Sequence, residues 1–298
     1  MNEHSREKNI TFNNHNIDIS TVPLGKGQDF ITSGSGYYFT GELIHWILVL
    51  DGHGSDTCIN FLRTYEWDEI ILREKEIIKY IYNQFAKFMQ IGYNFYDSGS
   101  TFSLVKIFPN KREIETINVG DSQIAIFINN ELTYINERHD PSNIYEYNRI
   151  NHMLERYKPF IRLYDFKVIS NDKLEYNLEN YYCNFVNGTR ISMTQSLGHN
   201  NKMSIMPCIN KVVYNESDKI KIICGSDGFW DMISLDKNKF NDLNDLIELS
   251  CDELLKKTEN RWKQKWFYDD IDENKNEVVR ETVFTNIDDV SVGTYTNY

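Results

Sequence analysis

The chain has 298 residues, of which 41% are hydrophobic and 14% aromatic, and this composition predicts a folded protein rather than a disordered one. The formal net charge of −12 argues against nucleic-acid partners, because phosphate contacts need a basic surface. No apolar run approaches the roughly 20 residues that span a bilayer, and the polar start has no signal-peptide core, so we expect an intracellular, cytoplasmic protein with no membrane partner.

The elements of the first half are predicted from hydrophobic periodicity. Residues 1–10 are polar, and we expect them to be disordered. The apolar run 44–50 predicts a strand that is buried on both faces, and apolar residues at helical spacing predict a helix over 68–91. Strand-like runs follow at 100–108, 113–120 and 122–135, the last with a hairpin turn at Asn129 and Asn130.

The second half continues the alternation. Helices are predicted over 143–157 and 243–257, and strands over 218–226 and 289–295. We interpret the segments 158–190 and 269–285 as surface flaps, and the basic run 256–266 as the solvated end of a helix. Strand groups that are separated by long helices, with no linker or repeat between them, indicate one α+β layered domain rather than a βαβ repeat.

Acidic residues stand where predicted strands begin or end. Asp51 ends the apolar run in "VLDGHGSD", Asp227 follows a strand in "IICGSDGFWD", Asp288 precedes the last strand, and Asp121 separates two strands. One Asp-Gly pair is most often an ordinary turn. Several carboxylates in one place, however, repel one another unless cations neutralise them, and Mg²⁺ and Mn²⁺ prefer oxygen ligands. The pattern therefore leaves two interpretations open, turns or a metal site.

A metal site of this kind predicts phosphate-ester chemistry. Two ions about 3.5–4 Å apart lower the pKa of a bound water enough to make it a nucleophile near neutral pH. His53 lies two residues after Asp51, where it would protonate the leaving alkoxide as a general acid.

Eight motifs, in order along residues 27–292, resemble those of the metal-dependent type 2C (PPM) serine/threonine protein phosphatase family. They are "GQDF" (27–30), "DGHG" (51–54), "SGST" (98–101), "NVGDS" (118–122), "LTYINERHDPSNIYEYNRI" (132–150), "MTQSLGH" (193–199), "GSDGFWD" (225–231) and "DDVSV" (288–292). The resemblance implies that residues 11–298 form a single phosphatase catalytic domain. Its fold would be a central β-sandwich of two antiparallel sheets flanked by antiparallel helix pairs, in α-β-β-α layers.

The resemblance also implies the chemistry. The protein would be a monomeric hydrolase that acts on phosphoserine and phosphothreonine of phosphoprotein substrates, with two Mg²⁺ or Mn²⁺ ions and a weaker third. Asp51 would bridge both ions and Gly52 would offer its carbonyl to one, while Asp227 and Asp288 would hold the other. The remaining roles fall to optional ligands of the third ion (Asp121 and Asp231), the general acid His53, and residues near the metals that steer their waters (Gln28 and Asp29).

Several positions depart from the family pattern. Leu24 stands where an arginine often clamps the phosphate, and the nearby Lys26 can contact phosphate only as a point charge, without the bidentate fork of arginine. The other departures are Gln28, Gln195, His199 and Asp289. These departures support an alternative, a catalytically weak pseudophosphatase that acts as a binding or regulatory protein. The intact acids and His53 favour an enzyme.

The sequence disfavours other phosphatase mechanisms. A cysteine-dependent phosphatase needs C-x₅-R, whereas Cys58 and Arg63 form C-x₄-R and Cys183 and Arg190 form C-x₆-R. His139 lies in a motif position, but a lone histidine is more often a hydrogen-bonded structural residue, and we expect the same of His199.

Overall fold

The computed structural model describes residues 7–12, 15–151, 157–162, 167–170, 175–177, 181–185, 190–203, 205–235, 242–271, 277–285 and 287–298. Two antiparallel sheets form its centre. The first contains, in spatial order, β1 (Glu7–Phe12), β2 (His15–Val22), β20 (Val290–Thr296), β17 (Ile220–Gly225), β8 (Gln123–Ile128) and β9 (Glu131–Ile135). The second contains β15 (Leu197–Gly198), β5 (Ser98–Ser100), β4 (Leu43–Gly54), β6 (Phe102–Phe108), β7 (Glu113–Val119) and β16 (Cys208–Val213), with β3 (Asp29–Tyr37) paired to β4.

Three apolar layers hold the sandwich together. Ile47 and Val49 of β4 face Ile222 of β17 in the layer between the two sheets. On the outer face of the second sheet, Trp46 and Leu48 pack against helices α1 (Thr57–Arg63), α2 (Trp67–Arg73) and α3 (Ile77–Gln90). The outer face of the first sheet is covered by α5 (Asp227–Trp230), α6 (Asp242–Glu248) and α7 (Cys251–Lys263). These layers confirm the predicted α-β-β-α sandwich, and β4 is buried on both faces as its apolar run predicts.

The long helix predicted over 68–91 is two helices, since Glu74 adopts an extended conformation between α2 and α3. The helix predicted over 243–257 also breaks, between α6 and α7. Ser250 caps α7 in a capping box with Glu253, so the sequence carried a start signal there that the periodicity obscured. Helix α1 was not predicted.

Other predictions meet mixed outcomes. Helix α4 (Ile144–Asn151) lies within the helix predicted over 143–157, but Tyr157 already belongs to strand β10; residues 152–156 lie outside the described part of the chain. The two segments interpreted as flaps carry strands of two small antiparallel sheets, β10-β13-β14 and β12-β11-β18-β19. Their bounds are β10 (Tyr157–Arg162), β11 (Lys167–Ser170), β12 (Glu175–Asn177), β13 (Tyr181–Phe185), β14 (Arg190–Ile191), β18 (Trp266–Ile271) and β19 (Glu277–Thr282).

Two terminal or surface expectations differ from the structure. Residues 7–12 form β1, which pairs with β2, although we expected residues 1–10 to be disordered; residues 1–6 lie outside the described part of the chain. The basic run at the end of α7 is not wholly solvated, because Arg261 is buried and pairs with Asp242, with Nη1 2.7 Å from Oδ2. None of the helices in the described part is long and apolar enough to cross a membrane.

Candidate active site

The predicted acids gather at one end of the sandwich because of strand pairing. Asp29 is the residue opposite Asp51 in the β3–β4 pair. Asp227 lies two residues after the end of β17, and Asp288 lies two residues before the start of β20, the antiparallel partner of β17, so the two lie at the same end of the sheet. Asp121 lies in the turn between β7 and β8. The tertiary structure thus brings together acids that the sequence separates widely.

These carboxyl groups perturb one another. The pKa of Asp51 is raised well above its usual range by burial and by the neighbouring Asp227, Asp29 and Asp288. Burial also raises the pKa of Asp29, to about 7, with contributions from Asp289 and Asp227. The pKa of Asp288 is raised to about 9, again by burial and by the charge of Asp227. The site therefore concentrates more negative charge than its own residues neutralise.

Several carboxylate oxygens lack hydrogen bonds. Asp29 Oδ2, Asp121 Oδ1 and Asp227 Oδ1 are buried with no partner among the described residues. Buried oxygens without a partner are costly, and a hard cation would relieve both the missing contacts and the charge repulsion. The chemistry of this all-oxygen donor set fits Mg²⁺ or Mn²⁺. As they stand, no three acidic, histidine or cysteine side chains of the described residues already enclose a common metal position.

The backbone around Asp51 is held closely. Asp51 donates its N–H to Thr101 Oγ1 at 3.0 Å, and its carbonyl accepts from the Thr101 N–H at 2.8 Å. At the next position a Cβ on Gly52 would lie 2.8 Å from both the Gln28 carbonyl oxygen and Ile59 Cβ. Only glycine fits this approach.

His53 lies at the end of β4 beside two polar side chains. Its Nε2 is 2.9 Å from His199 Nε2 and 3.1 Å from Ser196 Oγ, whereas its Nδ1 is buried without a partner among the described residues. Burial lowers the pKa of His53 well below its usual range, and the charges of His199 and Lys26 act in the same direction. Lys26 is exposed and close enough to influence this imidazole.

Asp289, where the family usually has asparagine, organises the loop that carries Lys26. Its Oδ1 accepts the Gly25 N–H and its Oδ2 accepts the Gln28 N–H, both at 2.7 Å. An asparagine would accept only one of these bonds and would turn a donor toward the other N–H. The additional carboxylate is therefore explained by the loop.

Gln28 also has a local reason. Its Nε2 donates to the Gly54 carbonyl at 3.1 Å and to Asp56 Oδ1 at 2.6 Å. An acid at this position would repel Asp56, so the glutamine suits its surroundings in this chain.

The positions of Leu24 and Gln195 show what replaces the family arginines. Leu24 is half-buried and packs against the apolar layer under α5–α7, so it makes no phosphate clamp. Gln195 is buried, donating from Nε2 to Glu146 Oε1 at 3.0 Å and accepting the Met206 N–H at 2.7 Å. Arg149 completes this network through a 2.6 Å contact with Glu146, so Gln195 is a structural residue.

His139 is structural, as we expected of a lone histidine. Its ring Nδ1 accepts a hydrogen bond from the Gly120 N–H at 3.1 Å, and its backbone N–H donates to the Gly120 carbonyl at 3.0 Å. Both bonds fix the turn that presents Asp121.

Two arginines were missed by the sequence reasoning. Arg63 Nη2 donates to the carbonyls of Gly27 and Asp29 at 2.8 Å each and so braces the loop beneath the acids. Arg138 Nη1 lies 2.5 Å from Asp231 Oδ1, and the positive charge of Arg138 also acts to lower the pKa of Asp121. No local pattern marks either contact, because each partner comes from a distant segment. Since Arg138 already engages Asp231, this acid is poorly suited to a third ion.

Comparison with known proteins gives a consistent picture. A family model described as protein phosphatase 2C matches residues 41–238, more than half of the chain. No curated protein matches the sequence.

Solved structures of low sequence identity share the fold. A sex-determining protein of C. elegans is 16% identical over 95% of this chain, with a TM-score of 0.59, and the chain spans 64% of that protein. The serine-threonine phosphatase 2C of Toxoplasma gondii is 14% identical, with 99% of this chain and 98% of that one covered and a TM-score of 0.59. A serine/threonine phosphatase of S. agalactiae is 16% identical, covering 94% and 98%, with a TM-score of 0.54.

Proposed function

Because the chain belongs to the protein phosphatase 2C family, we propose that it is an active, metal-dependent protein serine/threonine phosphatase. Its substrates would be phosphoserine and phosphothreonine in phosphoproteins. The observation that carries this proposal is the group of buried, mutually repelling carboxylates with partnerless oxygens, placed next to His53. A monomeric state, a cytoplasmic location and the lack of nucleic-acid or membrane partners stay predictions.

The acids would hold the cofactor. We assign Asp51, the carbonyl of Gly52, Asp227 and Asp288 to two Mg²⁺ or Mn²⁺ ions, with Asp121 near a weaker third. When bound, the ions supply an activated water and neutralise the phosphoryl oxygens.

The remaining residues position the substrate and move a proton. His53 donates a proton to the leaving alkoxide oxygen as the ester bond breaks. Lys26 lies on the loop that Asp289 holds with two hydrogen bonds, and its ammonium would attract the phosphate as a point charge. Asp29 and Gln28 lie beneath the acids, where Asp29 would orient water.

The alternative is a pseudophosphatase that keeps the fold and acts as a binding or regulatory protein. The observation in its favour is Leu24, which packs against the core, so that this position offers no cationic side chain to bind the phosphate. Under this alternative the acids would still bind a cation, but no turnover would follow.

One assay separates the two. Hydrolysis of p-nitrophenyl phosphate and of a phosphothreonine peptide is measured with Mn²⁺, with Mg²⁺ and with EDTA, for the unmodified protein, Asp227→Asn and the matched control Glu131→Gln. Glu131 is an exposed carboxylate at the start of β9. We expect metal-dependent turnover that Asp227→Asn abolishes and the control retains. No turnover with any divalent ion would contradict an enzymatic function.

A further inference from the structure

An open cleft of about 370 Å³ lies in the segment that joins β9 to the start of α4. Its walls include two acids, Glu137 and Asp140, two large apolar side chains, Ile144 and Tyr145, and Arg138. Pockets for whole small molecules occupy about 300–1,000 Å³. The cleft is at the lower end of this range, so it suits one long side chain rather than a longer segment.

Arg138 connects the cleft to the candidate active site. Its Nη1 lies 2.5 Å from Asp231 Oδ1, and its Nε donates to Gln123 Oε1 at 2.8 Å. Burial raises the pKa of Asp121 and of Asp227, and the charge of Arg138 opposes both rises, so the guanidinium is close to both acids. Residues of an extended peptide follow one another at about 3.3–3.6 Å. A residue near the phosphorylated one in a substrate can therefore reach the cleft.

The cleft has negative charge that this chain does not neutralise. Glu137 is exposed and Asp140 is half-buried, and neither forms an ion pair within the described part of the chain. The cation between them in sequence, Arg138, pairs instead with Asp231. Since the whole chain has a net charge of −12, the surrounding field also favours a positively charged ligand.

The same cleft has an apolar wall that is open to solvent. Ile144 is 61% exposed and Tyr145 is 72% exposed. A lysine or arginine side chain would pack its aliphatic stem on this wall, while its cationic head is attracted to the carboxylates and to the tyrosine ring. A neutral side chain would gain only the apolar contact, and an acidic one would be repelled.

Hydrogen bonds hold the walls in place before a ligand arrives. Asn143 Nδ2 donates to Glu137 Oε2 and to the Arg138 carbonyl, both at 3.0 Å, and Asn143 Oδ1 accepts the Tyr145 N–H at 3.0 Å. Asp140 Oδ1 accepts the Asn143 N–H at 3.3 Å. The second oxygens, Glu137 Oε1 and Asp140 Oδ2, accept no hydrogen bond from the described residues and remain for a ligand. Walls that are already ordered lower the entropic cost of binding.

We propose that this cleft is a specificity subsite for a lysine or arginine side chain that flanks the phosphorylated residue of the substrate. The bound cation meets Glu137 and Asp140, and its stem lies against Ile144 and Tyr145. The substrate class is therefore phosphoserine and phosphothreonine in basic segments of phosphoproteins. This inference rests on the proposed phosphatase function and adds to it the kind of sequence that the site prefers.

Three phosphothreonine peptides test the proposal. They are identical except for the residues that flank the phosphothreonine, which are lysine, alanine or glutamate. The measurement is kcat/KM with Mn²⁺ for the unmodified protein, Glu137→Gln, Tyr145→Ala, Tyr145→Phe and the control Glu131→Gln. In Glu137→Gln the amide oxygen keeps the bond from Asn143, so the charge alone is lost. The control removes the same charge from a surface outside the cleft.

We expect the unmodified protein to prefer the lysine peptide over the alanine peptide by roughly five- to tenfold, with the glutamate peptide poorest. Glu137→Gln and Tyr145→Ala should each reduce this preference to about two- to threefold, whereas Tyr145→Phe, which keeps the ring, and the control should retain it. Equal kcat/KM on all three peptides would overturn the proposal. So would a preference that Glu137→Gln leaves unchanged, or one that Glu131→Gln reduces as much.

Failure of the proposed function gives a different result. If the unmodified protein hydrolyses neither the peptides nor p-nitrophenyl phosphate with any divalent ion, the phosphatase function is contradicted and the peptides stay intact. Fluorescence anisotropy of the labelled peptides with Mn²⁺ then measures Kd directly. Tighter binding of the lysine peptide that Glu137→Gln weakens would support the subsite, and equal binding of the three peptides would overturn it.

Discussion

Replacing Asp29 by asparagine should make the metal-free protein more stable. Asp29 Oδ2 has no partner among the described residues and lies among other carboxylates, and burial together with Asp289 and Asp227 raises the pKa of Asp29 to about 7. In Asp29→Asn an amide NH₂ takes the place of this oxygen and donates to the neighbouring acids, while the amide oxygen keeps the bonds from Ser226 and Ser291.

The magnitude follows from linkage. The unfolded carboxyl has a pKa of 3.8 and the folded one about 7, so the folded state holds a proton that the unfolded state releases. This contribution to the free energy of unfolding is complete below the unfolded value and is lost as pH rises through about 7. Three pH units correspond to about 4 kcal/mol. Since burial of an amide also has a cost, we expect Asp29→Asn to raise the free energy of unfolding by about 2 kcal/mol at pH 8.

Urea denaturation in EDTA at pH 5 and pH 8 measures this difference, with Glu131→Gln as the control on the surface. The gain should be larger at pH 8 than at pH 5. Added Mn²⁺ should stabilise Asp29→Asn less than the unmodified protein, because one negative charge beside the ions is gone. A variant that is folded but no more stable at pH 8 would refute the view that these acids are electrostatically strained.

Three further predictions follow from other contacts. Asp289→Asn should lower the free energy of unfolding by about 1–3 kcal/mol by urea denaturation, because one loop N–H loses its acceptor, and should raise KM through a less ordered Lys26. Burial and the charge of His15 lower the pKa of His45 to about 4, so its contribution to stability is complete above about 6.5 and falls by about 3 kcal/mol as pH drops to 4; acid titration of unfolding should show this slope, and His45→Asn should lack it. Calorimetry should find an additional Mn²⁺ site in Arg138→Gln, because the guanidinium then no longer competes with the ion for the Asp231 carboxylate. An unchanged number of Mn²⁺ ions bound per protein would contradict that competition.

Local sequence features predicted the fold class, and they predicted which acids stand near strand ends. The buried strand β4, the helical character of 68–91 and 243–257 and the closing strand follow from periodicity, because apolar spacing depends on the geometry of each element alone, whereas helix α1 and the two helix breaks do not. The motif order supplied the family, and strand ends supplied the acids. Inside the helix predicted over 243–257, the capping box at Ser250 is a helix start signal that the apolar spacing of the whole segment concealed.

The remaining parts of the site were decided by tertiary packing. His53 meets His199 across 146 positions of the chain, Arg138 meets Asp231 across 93, and Asp289 meets Gly25 across 264. Such contacts depend on strand register and on how turns close, which no window of sequence contains. The sequence by itself therefore determined which chemical groups this protein brings to its site. Only the tertiary structure decided that His53 Nε2 contacts His199, that Arg138 pairs with Asp231, and that Asp289 anchors the loop bearing Lys26. These contacts depend on distances between segments that are far apart in the chain.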